Sequence, residues 1–381
     1  MKPINTTKSK IIPIVFAIND NYVRQLCTVI ASILKNGSNN NYEFNILSKD
    51  ISKTNTNTLK KFVSDLSNNK SLLNVIDMKL YIKMTDLEKY MSKREGYTYI
   101  SVETYFRFFI PEIFQTYKKV LYLDADILVL DDLGKLFNED ISQYSAAVVQ
   151  DLYMDYLIDE GKEKTKTQPN KNFRQYIHDI LNKSDERYFN AGVLLLNLAK
   201  IRKENIVEKL WRFVIEKSPL EFQDQDVLNA VLDNDVKYVD YRWNTLKDTI
   251  FFASQLKDFR KNHYFAYLAI CPSIFHYVGE NKPWTLQDGK NMYNFIIEWW
   301  DYYKMTPYYK PEESTVLEQS LLRQKSYNYS KTYISFKIFD FVLFEIKREQ
   351  GRIFFKMLNF IKLRRKLKYP KFKITQNIIN A

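Results

Sequence analysis

Two aspartates one residue apart, Asp124 and Asp126, are the first side chains in this sequence whose type and spacing point to chemistry. Apolar runs enclose them at 120–123 and 127–130. In an extended strand, residues two apart point the same way. Carboxylates held among apolar neighbours are costly unless paired, and a divalent cation removes that cost. An isolated Asp-x-Asp is common on solvated strand ends, so the pair alone does not establish a metal site. His276 is one of three histidines, with His178 and His263. A lone histidine after an apolar run is most often a core or surface residue. Joined to two aspartates, it shifts an all-oxygen, Mg²⁺-type site towards Mn²⁺. Gly279 and Lys282 lie just downstream. They suit a diphosphate, because glycine admits close backbone approach and lysine is a point charge for phosphate. A third segment reads Gln223-Asp224-Gln225-Asp226 between apolar neighbours. A helix start with Asp as N-cap accounts for one of these acids. Amides and carboxylates together supply the fixed donors and acceptors that sugar hydroxyls require.

The elements that must position these residues alternate along the chain. Apolar runs at 11–18, 42–47, 72–78, 120–123, 146–149 and 189–198 read as strands. Helical spacing marks 22–35, 54–67, 207–215 and 226–232. The alternation predicts an α/β fold with a mostly parallel sheet and helices on both faces. Residues 152–187 are polar and read as an excursion with some helix. Past Trp284 the composition turns rich in Tyr and Trp, then basic, which places a domain boundary near 285.

The 381 residues, 45% of them hydrophobic, suffice for one large α/β domain with a smaller appendage and exclude wholesale disorder. The net charge is +12, yet 11 Lys and Arg face one acid, Glu349, between Lys347 and Lys373. A nearly neutral body with a basic tail argues against a nucleic-acid binder. In the tail, Arg352, Lys356, Asn359 and Lys362 recur at helical spacing, opposite Ile346, Ile353, Phe354, Met357 and Ile361. This predicts a basic amphipathic helix, packed on the domain or lying on an anionic lipid surface, and the charge density favours the lipid. Cys27 and Cys271 form no paired motif, which points to a reducing compartment. Pro13 interrupts the N-terminal apolar run, so a buried first strand explains it better than a signal peptide. No stretch reaches the roughly 18 apolar residues of a spanning helix.

Taken in order, these segments resemble glycosyltransferase family 8, and within it the bacterial lipooligosaccharide galactosyl- and glucosyltransferases. The likeness runs from Val15-Phe16-Ala17-Ile18-Asn19-Asp20-Asn21-Tyr22 through the 100–107 segment ending in Arg107 to Asp124-Ala125-Asp126. It continues through Asn190-Ala191-Gly192 and the Gln-Asp-Gln-Asp segment to His276-Tyr277-Val278-Gly279 and Lys282-Pro283-Trp284. The resemblance implies a GT-A, Rossmann-like domain over 1–285, and the tail's own spacing adds a smaller, mainly helical region over 286–381. It implies a UDP-galactose or UDP-glucose donor, Mn²⁺ with Mg²⁺ as the alternative, and retention of anomeric configuration. By that similarity Ala17, Asn19, Asn21 and Tyr22 hold the uridine. Asp124, Asp126 and His276 hold the metal, and Gly279 and Lys282 the phosphates. Arg107, Asn190, Asp224 and Gln225 surround the sugar, and Ala191 and Gly192 also bind the donor. A nucleophilic mechanism would draw on Asp224 or Asp226, but attack from the leaving-group face is the favoured expectation. Relatives often carry Asp where Asn19 stands, so weaker recognition of the base is expected. The expected acceptor is a cell-surface glycan, lipid-linked as in lipopolysaccharide. The expected location is cytoplasmic, peripheral on the inner face of the plasma membrane. A sugar nucleotidyltransferase would carry a Gly-rich basic segment after the first strand, which Asn19-Asp20-Asn21-Tyr22 is not. A silent sugar-binding module remains open at this point and needs an assay to exclude it.

Overall fold

The computed structural model describes residues 11–37, 39–83, 102–249, 252, 268, 271–279, 282–285 and 295–313, together with the backbone of four strands between 332 and 375. The chain divides into two compact units, residues 1–284 with 293–309, and residues 285–292 with 310–381.

The first unit is built on a seven-stranded sheet in the order β3-β2-β1-β4-β7-β6-β8. Its strands are β1 (Ile11–Ala17), β2 (Asn41–Ser48), β3 (Leu72–Asp77), β4 (Lys119–Leu123), β6 (Ala146–Gln150), β7 (Phe189–Asn197) and β8 (Val236–Tyr238). Neighbours pair in parallel except β7, which runs antiparallel to both β4 and β6. The expected mostly parallel sheet is therefore mixed by one reversed strand. Helices cover both faces, so the central strands are apolar on both sides. Five consecutive residues of β1, Ile12 to Phe16, are buried. Pro13 is tolerated because β4 pairs only with Ile14 and Val15, leaving no ladder bond for Pro13 to donate on that side. Helix α1 (Val23–Asn36) buries Val23, Leu26, Ile30 and Ile33 at helical spacing and ends at Gly37. Helix α2 (Lys53–Leu66) follows β2 and is capped by the Ser52 side chain on the Asn55 N–H.

Reading outward from β1, the chain runs to β2 and β3 on one side and to β4 on the other. The gap between the carboxyl ends of β1 and β4 is thus the switch point where open α/β sheets bind ligands. A smaller sheet, β5-β10-β9, sits beside it, with β5 (Ile127–Val129), β9 (Thr245–Leu246) and β10 (Ile274–His276). The polar stretch after β6 contributes helices α3 (Leu152–Glu160) and α4 (Phe173–Asp179). Helices α5 (Ile206–Lys217) and α6 (Asp224–Val231) complete the region before β8. Helix α7 (Ile296–Tyr303) lies with the first unit, where Tyr302 hydroxyl accepts from the Asn36 side chain at 2.8 Å.

The tail departs from the sequence expectation. Where an amphipathic helix was predicted, the second unit forms an antiparallel sheet in the order β13-β12-β11-β14. The strands are β11 (Thr332–Ile338), β12 (Phe341–Glu349), β13 (Arg352–Met357) and β14 (Phe372–Thr375). Residues 358–362, the last part of the expected helix, lie outside the described residues. The physical reason is composition: these segments are dense in Phe, Ile, Val, Tyr and Thr, which favour the pleated sheet. Only Gln350 and Gly351 separate β12 from β13, and Glu349 pairs with Arg352, the spacing of a two-residue hairpin. Among the described residues no helix is long and apolar enough to cross a membrane.

Candidate active site

The carboxyl ends of β1 and β4 open into a cavity of about 680 Å³. Asp124-Ala125-Asp126 forms the bend between β4 and β5, rather than the end of a strand. Two backbone bonds fix that bend: Asp124 N–H donates to the Gly192 carbonyl at 2.8 Å, and Tyr277 N–H to the Asp126 carbonyl at 2.9 Å. Antiparallel pairing of β10 with β5 sets His276 opposite Ile127, beside the second aspartate. As a result, one donor atom each from Asp124, Asp126 and His276 lies within 4.8 Å of the others. His276 Nε2 is 3.1 Å from Asp126 Oδ1 and 3.9 Å from Asp124 Oδ2. Asn244 Oδ1 sits 2.9 Å from His276 Nδ1, which leaves Nε2 facing the carboxylates.

The arrangement fits a divalent cation on its own terms. Two carboxylates and one imidazole converge, the donor set of a borderline metal site. Gly192 leaves the space they need: a Cβ there would come within 2.3 Å of His276 Cε1 and 2.9 Å of Asp124 Oδ2. Lys282 Nζ meets Asp126 Oδ2 at 2.5 Å. Burial raises the pKa of Asp126, but Lys282 and His276 outweigh it and hold the carboxyl well below its usual range. Gly279 takes φ +79°, a backbone conformation that favours glycine.

Beside this cluster, and joined to it through Asp124, stands a second group. Arg107, buried on the 3-10 segment Val102–Phe109, reaches Asp224 Oδ2 at 3.1 Å and Asp124 Oδ1 at 3.2 Å. It also donates to the Ala191 carbonyl at 2.6 Å and lies 4.3 Å over the Tyr122 ring. Burial alone would lower its pKa, and Asp224, Tyr122 and Asp124 more than reverse that, so the guanidinium stays charged. Asp224 also accepts from the Thr104 hydroxyl. Burial nonetheless raises its carboxyl above the ordinary value, against the pull of Arg107. Gln225 Oε1 accepts the Ala191 N–H at 2.9 Å, and its amide donates to Asp151 Oδ2 at 3.3 Å. Asn190 donates to the same Asp151 oxygen at 3.1 Å while its own carbonyl accepts from Gly192 N–H and Asn244. The turn into α6 is strained: Gln223, its N-cap, takes φ +52° with no glycine to ease it, and its Oε1 accepts from Tyr105 hydroxyl at 2.9 Å.

Ala17, the last residue of β1, and Asn19, Asn21 and Tyr22 after it line the same cavity, as do Ala191, Gly192, Gly279 and Lys282. Every residue given a binding or catalytic role from the sequence lines this cavity except Asp226. That residue is fully buried and outside the cavity lining. Tyr176 and Tyr188 hydroxyls and the Phe222 N–H all donate to it, at 2.8, 2.7 and 2.6 Å. Burial pushes its carboxyl up to about 6 despite those donors. The cause is helical geometry: residues two apart on a helix project about 200° apart, so Asp224 faces the cavity and Asp226 the core. The sequence reading missed Asp151, the N-cap of α3, and Asn244, which orients His276. An Asp opening a predicted helix after strand β6 was the available signal for the first. Nothing local marks the second.

Residues 13–288 match the model for Glycosyl transferase family 8. The chain belongs to this family. A putative glycosyltransferase of Haemophilus influenzae is 26% identical over 79% of this chain and 85% of its own length. A lipopolysaccharide 1,2-glucosyltransferase of Escherichia coli K12 is 25% identical over 87% of this chain and 85% of its own length. Among solved structures, galactosyltransferase LgtC in complex with donor and acceptor sugar analogues superposes with a TM-score of 0.62 at 24% identity, covering 80% of this chain and all of that one. The first unit therefore has a GT-A-like fold, and the family 8 chain described here is a glycosyltransferase.

Proposed function

We propose that this glycosyltransferase moves a hexose, galactose or glucose, from a UDP-sugar to a glycan acceptor with retention of configuration, and that it requires Mn²⁺. The observation that carries the reading is the convergence of Asp124, Asp126 and His276 within 4.8 Å, in one cavity with Arg107, Asp224 and Gln225. The likeness to a lipopolysaccharide 1,2-glucosyltransferase over 87% of the chain supports a lipopolysaccharide or related surface glycan as acceptor.

Asp124, Asp126 and His276 would hold the metal, which when bound neutralises the diphosphate as it becomes a leaving group. Lys282, already beside Asp126, is placed to add its charge to that anion. Asn19, Asn21 and Tyr22, after β1, serve the nucleoside. Arg107, Asn190, Asp224 and Gln225 serve the sugar, with Asp151 fixing the amides of Gln225 and Asn190. Retention needs either a carboxylate nucleophile or attack from the leaving-group face. Asp226 is occupied by three donors in the core, and Asp224 is held between Arg107 and Thr104. Neither is presented as a free nucleophile, and Gln225 is neutral. Same-face attack is the better reading, with a donor phosphate oxygen taking the acceptor proton. Residues 1–285 would carry this chemistry. The basic second unit would carry the chain to an anionic membrane face on the cytoplasmic side, near a lipid-linked acceptor.

Proton NMR of the sugar first released from UDP-galactose or UDP-glucose tests the reading. The α anomer is expected. A β anomer would overturn retention, and no release from either donor would overturn the UDP-hexose assignment.

A further inference from the structure

The chemistry above makes no use of Glu103, although this side chain lines the cavity and is 3% exposed. Among the described residues neither of its carboxylate oxygens accepts a hydrogen bond. Its charge partner is Lys49, whose Nζ lies 3.3 Å from Oε1 without hydrogen-bond geometry. Lys49 offsets the buried charge, but the lone pairs stay unfilled. A buried carboxylate in that state is costly, and facing a cavity it calls for a ligand donor.

Position narrows the donor. Across the sheet the order is β4, β1, β2. Asp124 and Asp126 follow β4, Asn19 to Tyr22 follow β1, and Lys49 follows β2. The ion pair with Lys49 thus ties Glu103 to the strand two places from the metal cluster, ~10 Å away along the sheet. A nucleotide anchored by its diphosphate at β4 and its ribose at β1 lays its base there. The sugar end is served by others, since Thr104 and Arg107 turn to Asp224. Asn19 Oδ1 already accepts the Asn21 N–H at 3.1 Å, which leaves it one lone pair and no charge to offer the nucleoside. A carboxylate can only accept. The uracil edge offers an imide N3–H donor, whereas cytosine presents a bare acceptor nitrogen at that place.

We propose that Glu103 reads the base: its carboxylate accepts the N3–H of uracil and thereby disfavours cytosine nucleotides. The inference rests on the uridine-diphosphate reading above and names the residue that enforces it.

Calorimetric titration of the full chain with UDP and with CDP, both in Mn²⁺, tests it. The unaltered protein should bind UDP roughly tenfold or more tightly than CDP. Glu103→Gln should weaken UDP by a similar factor and leave CDP equal or tighter, because the amide can donate to cytosine N3. Glu103→Asp should weaken UDP yet keep the preference, and it decides the matter if the Gln variant melts early. Equal loss for UDP and CDP in the Gln variant, or a penalty that vanishes with 2′-deoxy-UDP, would sink the proposal. If the unaltered protein binds UDP and Glu103→Gln changes nothing, the Glu103 assignment alone fails. If it binds neither nucleotide with metal, the donor reading fails with it.

Discussion

Gly192→Ala should disable the proposed metal site. The methyl group would sit 2.3 Å from His276 Cε1 and 2.9 Å from both His276 Nδ1 and Asp124 Oδ2. Carbon atoms in contact settle near 3.5 Å, so the imidazole must retreat by about 1.2 Å. It has little room to do so. His276 is 3% exposed, β10 is paired on both sides, and Asn244 Oδ1 already stands 2.9 Å from Nδ1. Overpacking of this kind costs about 1–3 kcal/mol of stability. Displacing a ligand or its support costs ~10–100-fold in metal affinity. Competition of Mn²⁺ against a fluorescent chelator, with a thermal melt of the same samples, separates the two effects. Unchanged Mn²⁺ affinity in a folded variant would refute the claim that Gly192 clears space for the ligands.

Gln225→Ala should lower turnover of a UDP-sugar far more than it weakens UDP itself, because UDP lacks the sugar; parallel losses in kinetics and titration would assign Gln225 a purely structural role. Asp226→Asn should destabilise the fold by about 1–3 kcal/mol, since three donors now meet one acceptor oxygen and an amide; chemical denaturation measures this, and an unaltered midpoint would contradict the bonding described. The Asp226 carboxyl sits at about 6 in the fold against an ordinary 3.8, so the folded state keeps its proton longer. Its contribution to stability is therefore greatest below 3.8 and is lost as pH rises towards 6, a slope that Asp226→Asn should remove from the melting profile. Replacing Arg364, Arg365, Lys366 and Lys368 by Gln should reduce co-sedimentation with anionic vesicles at low salt, by about 1 kcal/mol per charge, with little effect on Mn²⁺ binding. Sedimentation equal to the parent protein at every salt concentration would discount the tail as a membrane contact.

The sequence made the first unit legible because its signals are local and redundant. The run into Asp124-x-Asp126, the helix after β1 and the buried strand at Asn190-Ala191-Gly192 each announce themselves by period or by cost. His276 was separable from a core histidine only by the company of Gly279 and Lys282. Asp226 was misjudged because Gln-Asp-Gln-Asp suggests alternation, while the segment opens a helix and turns its two acids to opposite sides. The tail was misjudged for a related reason. Its basic residues recur at helical spacing, yet its aromatic and β-branched content suits a pleated sheet, and a short apolar run admits both periods. Asn244 and the Glu103–Lys49 pair were invisible, since each acquires meaning only from a partner that the fold delivers from 32 and 54 residues away.

The most direct test of a metal-held UDP-sugar donor is the rate of UDP release from UDP-galactose and UDP-glucose, with Mn²⁺, with chelator, and in Asp126→Ala. The account predicts release from at least one donor in Mn²⁺, its loss in chelator, its return on adding metal, and near-complete loss in the folded Asp126→Ala protein. Full release in chelator, or an undiminished rate in Asp126→Ala, would contradict it.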